Sequence, residues 1–346
     1  RLHVKYQDDD TLGAVPGYEE SKMRHRSETL PAFVYLDSED PDGLAGIDQE
    51  KWARAKQAKY RITKPYSDAM ENKYQWCIAA VPGLKWARKV FPGLSDGEAV
   101  EKLWEAILRC SRALDGNGVE AWREHDDDLR RRCEYLNSLG LRRLIYRSES
   151  TGTDFSVGLM PEGVFMGGDE VLPGTDLHYN PNIPSEEVFT SPRRGDAEGV
   201  LYATRPLSYR GVPIENFSIR FENGRVSEVH AEKNEEALKL MVQMDEGASM
   251  LGECALVPYN SPIRESGILF YDTLFDENAA CHMALGMGFT NCLRDYEKYT
   301  LDEARALGVN DSMIHEDFMI GSADLCITGV TADGREVEIF KNGGWA

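Results

Sequence analysis

The texture of the chain changes part-way along it, and that change limits what it can fold into. Before about residue 141, apolar runs alternate with stretches of helical spacing. Ala32-Phe33-Val34-Tyr35-Leu36 and Trp76-Cys77-Ile78-Ala79-Ala80-Val81 are continuous apolar runs bounded by turn signals, which predicts buried strands. Residues 48–59, 96–114 and 119–139 predict helices, and in the second of these Val100, Leu103, Trp104, Ile107 and Leu108 form one apolar stripe. Residues 2–6 alternate apolar and polar and predict a further strand. Strands interleaved with helices make an α/β unit.

Beyond residues 141–152 the pattern turns to short strands and hairpins, with turns at Pro161-Glu162-Gly163, Glu222-Asn223-Gly224 and Ala332-Asp333-Gly334. Residues 216–232, split by Asn223-Gly224, predict a β-hairpin, and helices are expected at about 234–245 and 276–285. The fold expected is α+β: an N-terminal α/β domain over residues 1–145, then a β-rich, antiparallel, barrel-like C-terminal domain with a few helices over 146–346. A length of 346 residues accommodates two domains.

Charge and cysteine usage narrow the function. A net charge of -20, with no basic stripe to offset it, repels a phosphate backbone, so nucleic acid is not an expected partner. The same acid suits a cavity that attracts metal ions or protonated amines. No apolar stretch approaches the roughly 20 residues of a membrane helix, and the seven scattered cysteines suit reduced thiols in cytoplasm. The first residue is Arg1, too large to follow a methionine that is normally trimmed, which raises the expectation that the native start is missing.

Four segments carry candidate chemistry. In His315-Glu316-Asp317, leading into Phe318-Met319-Ile320, a strand would turn His315 and Asp317 to one face and Glu316 to the other. His282 lies among Ala, Cys and Met in the predicted 276–285 helix, where it is either a satisfied core histidine or a ligand. Glu253 is a lone carboxylate in Leu251-Gly252-Glu253-Cys254-Ala255-Leu256-Val257, and burying it unpaired would cost several kcal/mol, so it calls for a cation. Glu187 follows the proline-bracketed Asn182-Ile183-Pro184. Each is weak alone, but together they offer imidazole nitrogen and carboxylate oxygen only, the donors of co-catalytic zinc, cobalt or manganese sites. No His-Glu-x-x-His motif is present. The acidic pairs could also serve a glycosidase, but that chemistry has no use for two histidines.

In this order, Glu187-Val188-Phe189-Thr190, Arg205-Pro206-Leu207-Ser208-Tyr209, the Glu253 run, Asp276-Glu277-Asn278-Ala279, His282, His315 to Ser322 and the tail Asn342-Gly343-Gly344-Trp345-Ala346 resemble the M29 family of metallo-aminopeptidases, nearest its PepS-like branch. The resemblance is dense from about residue 180 onward and thinner before, where Trp86 to Pro92 is the best patch. It implies a two-domain cytoplasmic exopeptidase, usually a homodimer, that cleaves N-terminal residues from peptides with a free amine. It implies two divalent ions per chain (zinc, cobalt or manganese, with magnesium admissible) on Glu187, Glu253, His282, His315 and Asp317, activating a water as nucleophile. It leaves Glu277 as general base or sixth ligand, and Arg205 and Arg264 as groups that steady the substrate or simply form salt bridges. It also implies a preceding helical segment of several dozen residues. Where this family usually has a tyrosine beside the metals, the chain has Phe289, seven residues or about two helical turns after His282. That departure keeps open a second role, as a catalytically impaired peptide-binding or scaffold protein.

Overall fold

The computed structural model describes residues 1–38 and 40–346. Its N-terminal third is helical around a small parallel sheet. Phe33–Asp37 pairs in parallel with Trp76–Ala80, which pairs in turn with the short strand Asn182–Ile183 from far along the chain. The helix Gln49–Met70 opens at an Asp48 cap whose side chain accepts from the Lys51 N–H, and it extends well past the predicted 48–59. The helices Asp96–Cys110 and Gly118–Ser138 fall where the spacing placed them, the first closed by a capping box of Ser95 and Glu98. Its stripe buries Leu103 and Ile107 against Trp86, Phe270 and Phe275.

The rest is antiparallel. A nine-stranded sheet runs from Leu207–Tyr209 through Val212–Glu222, Pro192–Tyr202, Thr153–Leu159, Leu141–Ser148, Cys326–Thr331 and Glu336–Lys341 to Gly344–Trp345, with Arg225–Lys233 pairing beside Val212–Glu222. The hairpin about Asn223-Gly224 forms as predicted. Val212–Glu222 shows the half-buried alternation expected of such a sheet, with Ile214, Phe217, Ile219 and Phe221 inward. Packed on it is a four-stranded antiparallel sheet in the order His315–Met319, His282–Gly286, Leu251–Leu256, Val188–Thr190. The main core lies between the two sheets, where Leu144, Tyr146, Phe155 and Phe217 meet Cys254, Met283 and Phe318. The architecture is the α+β class expected, but the sheets are open: among the described residues none closes into a barrel.

Three expectations are corrected. Residues 2–6 form the short helix Leu2–Tyr6, because five residues of alternation are too few to outweigh packing against the long helix, where only Val4 is buried. Phe33–Asp37 is a strand but not a buried one: it is the edge of its sheet, with Val34 72% and Leu36 65% exposed. The predicted helix 276–285 is instead two short turns, Thr273–Asp276 and Glu277–Ala279, followed by the fully buried central strand His282–Gly286. Alanine, methionine and leucine suit a helix, but burial on both faces decides in favour of the sheet.

Candidate metal centre

The four-stranded sheet gathers the candidate donors from successive strands. Glu187 stands immediately before Val188–Thr190, Glu253 is on Leu251–Leu256, His282 opens His282–Gly286, and His315 and Asp317 share one face of His315–Met319. Backbone geometry fixes this convergence. A bulge lies at Gly252, where a Cβ would sit 2.0 Å from the Met287 carbonyl oxygen, and the next strand leaves its sheet at Gly286 with φ +102, where a Cβ would sit 2.1 Å from the Ile314 carbonyl oxygen. Only glycine fits either place.

The side chains meet end to end. His282 Nε2 is 3.0 Å from Glu187 Oε2, while its Nδ1 faces the Ala280 carbonyl at 3.2 Å. His315 Nε2 lies 3.1 Å from Glu253 Oε2 and 3.5 Å from Asp317 Oδ1, with its Nδ1 facing the Met287 carbonyl at 2.8 Å. Each imidazole thus has one nitrogen occupied by the backbone and the other aimed at carboxylates, the arrangement that fixes a metal-ligating tautomer. Donor atoms of Glu187, Glu253 and His282 lie within 4.8 Å of one another, and so do those of Glu253, His315 and Asp317. Glu253 belongs to both groups.

The electrostatics are those of a site short of positive charge. Burial pushes the Glu253 carboxyl up to about 7, with the neighbouring Glu187 and Asp317 charges adding to the rise. Burial alone would lower His282, but the hydrogen bond and charge of Glu187 outweigh it and lift the imidazole to about 9. His315 is likewise held well above its ordinary range, Asp317 and Glu253 outweighing burial, and Asp317 is held low by His315 against its own burial. Among the described residues no Lys or Arg pairs with Glu187, Glu253 or Asp317, and the buried Asp317 Oδ1 has no hydrogen-bond donor. Divalent cations fit these residues: the donors are nitrogen and oxygen, they fall into two groups, and one buried acceptor is left over.

Residues 1–345 match the family of thermophilic metalloproteases, M29. The chain belongs to the M29 metallopeptidases. It is therefore a metal-dependent aminopeptidase, a peptide hydrolase of the exopeptidase class. Aminopeptidase AmpS of Bacillus subtilis (strain 168) is 40% identical over 99% of this chain and 86% of its own length. Aminopeptidase 2 of Geobacillus stearothermophilus is also 40% identical, over 98% of this chain and 81% of its own. The solved structure of wild-type AmpT from Thermus thermophilus superposes with a TM-score of 0.86 at 38% identity, covering all of this chain and 84% of that one.

Other residues of this M29 peptidase fall into place around the donors. They line a cavity of about 490 Å³, which Glu277 and Phe289 also line. Glu277 is buried, its Oε1 accepts from Asn278 Nδ2 at 3.3 Å, and burial together with the Asp317, Glu187 and Glu253 charges raises its carboxyl well above the ordinary range. Phe289 reaches the cavity, but not by the helical spacing that suggested it. The strand ends at Gly286, and the loop beyond is pinned where the Phe289 N–H donates to Ser191 Oγ at 2.7 Å. Its ring packs 4.8 Å from the His315 ring and 5.6 Å from Phe189. Arg205 and Arg264 do not line the cavity. Arg205 is buried and donates to the Ile268 carbonyl and Asp276, whereas Arg264 pairs with the Tyr259 hydroxyl. Sequence reasoning passed over Glu186, which is buried in an ion pair with Arg112 and whose N–H donates to Asn278 Oδ1 at 2.6 Å, so that it anchors the loop carrying Glu187. The doubled Glu186-Glu187 was the available signal, since two adjacent carboxylates in a rigid segment need two different partners.

Proposed function

We propose that the chain removes N-terminal residues from peptides with two divalent ions, one on Glu187, Glu253 and His282 and the other on Glu253, His315 and Asp317. The observation that carries this is Glu253, a buried carboxylate that belongs to both donor groups. Ions so held lower the pKa of a water and polarise the scissile carbonyl. Zinc, cobalt, manganese and magnesium all accept such donors.

The remaining steps belong to the chain's own side chains. Burial and three nearby carboxylates raise the Glu277 carboxyl. With divalent ions neutralising those carboxylates it would ionise, and as the carboxylate it would take a proton from the attacking water and pass it to the leaving nitrogen. Phe289 packs against His315 and keeps the imidazole in place, but supplies no hydroxyl. The acidic lining favours a substrate that enters with its ammonium group first.

Seven free cysteines support residence in the cytoplasm, and the homodimer and the absence of nucleic-acid or membrane partners are part of the same proposal. No described helix is long and apolar enough to cross a membrane. The reading as a turnover-deficient binding protein is not favoured by relatives that are themselves named aminopeptidases. The test is elemental analysis with an aminoacyl-anilide assay. Two ions per chain, activity lost to a chelator and restored by divalent metal, and no cleavage of an N-acetylated peptide are expected; full activity in metal-free protein would end the proposal.

A further inference from the structure

Among the described residues eight Asp and Glu line the cavity of the donor cluster, and Arg210 is its one lining Lys or Arg. The placement of Arg210 is rigid. Its backbone has φ +53, and at the following Gly211 a Cβ would lie 2.6 Å from the Ala45 nitrogen, so the turn is pressed against the neighbouring loop. The guanidinium carbon lies 3.8 Å from the Trp52 ring centroid and 4.1 Å from that of Tyr209. Ring contacts of this kind hold a guanidinium through its face and leave its N–H edges free to donate.

Among the described residues those donors have no acceptor. Among the described residues Arg210 makes no ion pair, and its Nη2 is buried without a hydrogen-bond partner. Arg205 and Arg112 differ: the first is engaged by Ile268 and Asp276, the second by both oxygens of Glu186. A fixed fork of donors at the wall of a substrate cavity, without a partner, matches a carboxylate. Elsewhere in so acidic a cavity a carboxylate would be repelled.

We propose that Arg210 receives a carboxylate of the substrate, so that the enzyme favours short peptides whose free C-terminus, or an acidic side chain, reaches it while the amine lies at the donor cluster. This rests on the aminopeptidase reading above. The test is calorimetric titration of metal-free protein with leucyl-glycyl-glycine, its C-terminal amide, and an amidated leucyl peptide carrying one aspartate. Wild type should bind the free acid at least about tenfold more tightly than the plain amide, the scale of one charge-assisted hydrogen bond. Arg210→Gln should bind the two alike. Arg210→Lys keeps the charge without the fork and should recover part of the difference, and it serves if loss of the ring contacts unfolds the Gln variant. The aspartyl amide separates the two carboxylates: binding as tight as the free acid assigns the side chain, binding as weak as the plain amide assigns the C-terminus. Equal affinity of wild type for all three peptides, or discrimination kept by Arg210→Gln, overturns the proposal. In metal-loaded enzyme the same ratio should appear in kcat/KM, through KM. Failure to hydrolyse any of the peptides would count against the aminopeptidase reading, while the binding ratio judges Arg210 on its own.

Discussion

Glu253 and Glu316 are both pushed up to about 7, in each case chiefly by burial, yet their surroundings differ. Glu253 faces His315 together with the Glu187 and Asp317 carboxylates. Glu316, on the opposite face of His315–Met319, feels the permanent cations Lys56 and Arg210. Burial and a raised pKa are therefore common to both sides of the strand and do not distinguish a metal site from a structural carboxylate. The distinction is the source of positive charge: the chain supplies it to Glu316, whereas around Glu253 it supplies only imidazoles that a proton or a metal must charge.

The largest expected effect tests that contrast directly. Glu253→Ala removes a donor from both groups at once, so metal affinity should fall by more than about 100-fold, beyond the 10–100-fold typical of losing a supporting hydrogen bond, and hydrolysis should fall to background. Metal content after gel filtration and the anilide rate measure it; retention of two ions would remove Glu253 from the centre. Next in size is Glu277→Gln, which keeps the shape of the side chain and loses its proton transfer. It should lower kcat by about 10²–10⁴ and leave metal content unchanged. Loss of metal in that variant would make Glu277 a ligand instead.

Part of this site was legible in the sequence and part was not. The period of a strand brings His315 and Asp317 together and turns Glu316 away, and a carboxylate inside an apolar run marks Glu253 as needing a cation. His282 was legible as a candidate but not as a strand residue, since a buried run of Ala, Met and Leu has no periodicity that separates helix from central strand. Glu187 could be placed on a rigid segment, yet its contact with His282 spans 95 residues and depends on the sheet order. The alternating texture before residue 141 marked two of the strands, but not that Phe33–Asp37 would lie at an edge or that Asn182–Ile183 would pair with Trp76–Ala80. Such pairings are set by packing between distant segments, and local spacing carries no record of them.

The two sides should also separate with pH. In metal-free protein His282, lifted to about 9, and Glu253, raised to about 7, hold protons more tightly than they would in the unfolded chain. The His282 contribution to stability is full below its ordinary 6.5 and is lost as pH rises through about 9, and the Glu253 contribution is lost between 4.5 and about 7. Metal must displace those protons, so its affinity rises across the same interval. The expected result is a Tm of metal-free protein that falls from pH 6.5 to 9 while that of zinc-loaded protein holds, with proton release seen by calorimetry in buffers of different ionisation heat. A constant gap between the two curves would contradict it.

A smaller effect is expected at Phe289. Its ring already packs on His315, so Phe289→Tyr adds a hydroxyl to the cavity wall without repacking the sheet. One preorganised donor can contribute 10²–10³ in rate, and for a hydroxyl not positioned for the task a gain of about tenfold in kcat is expected, at unchanged metal content. An unchanged or lower kcat in a folded variant would show that the hydroxyl is not limiting.

The smallest effect should come from Glu316→Gln, and it is the sharpest check on the opening contrast. Glu316 is one residue from two candidate ligands, so a reading based on proximity in sequence would have it disturb the metals. Strand alternation places it on the other face, and the glutamine amide preserves its shape while removing the charge seen by Lys56 and Arg210. Metal stoichiometry should be unchanged and the anilide rate should stay within about threefold, because neither donor group loses an atom. Arg210 would then face less competing negative charge, so binding of a free-acid peptide should tighten slightly rather than weaken. Loss of an ion in Glu316→Gln would mean that the two faces are coupled through the backbone of His315–Met319, and the division between a candidate metal side and a side served by the chain's own permanent cations would fail.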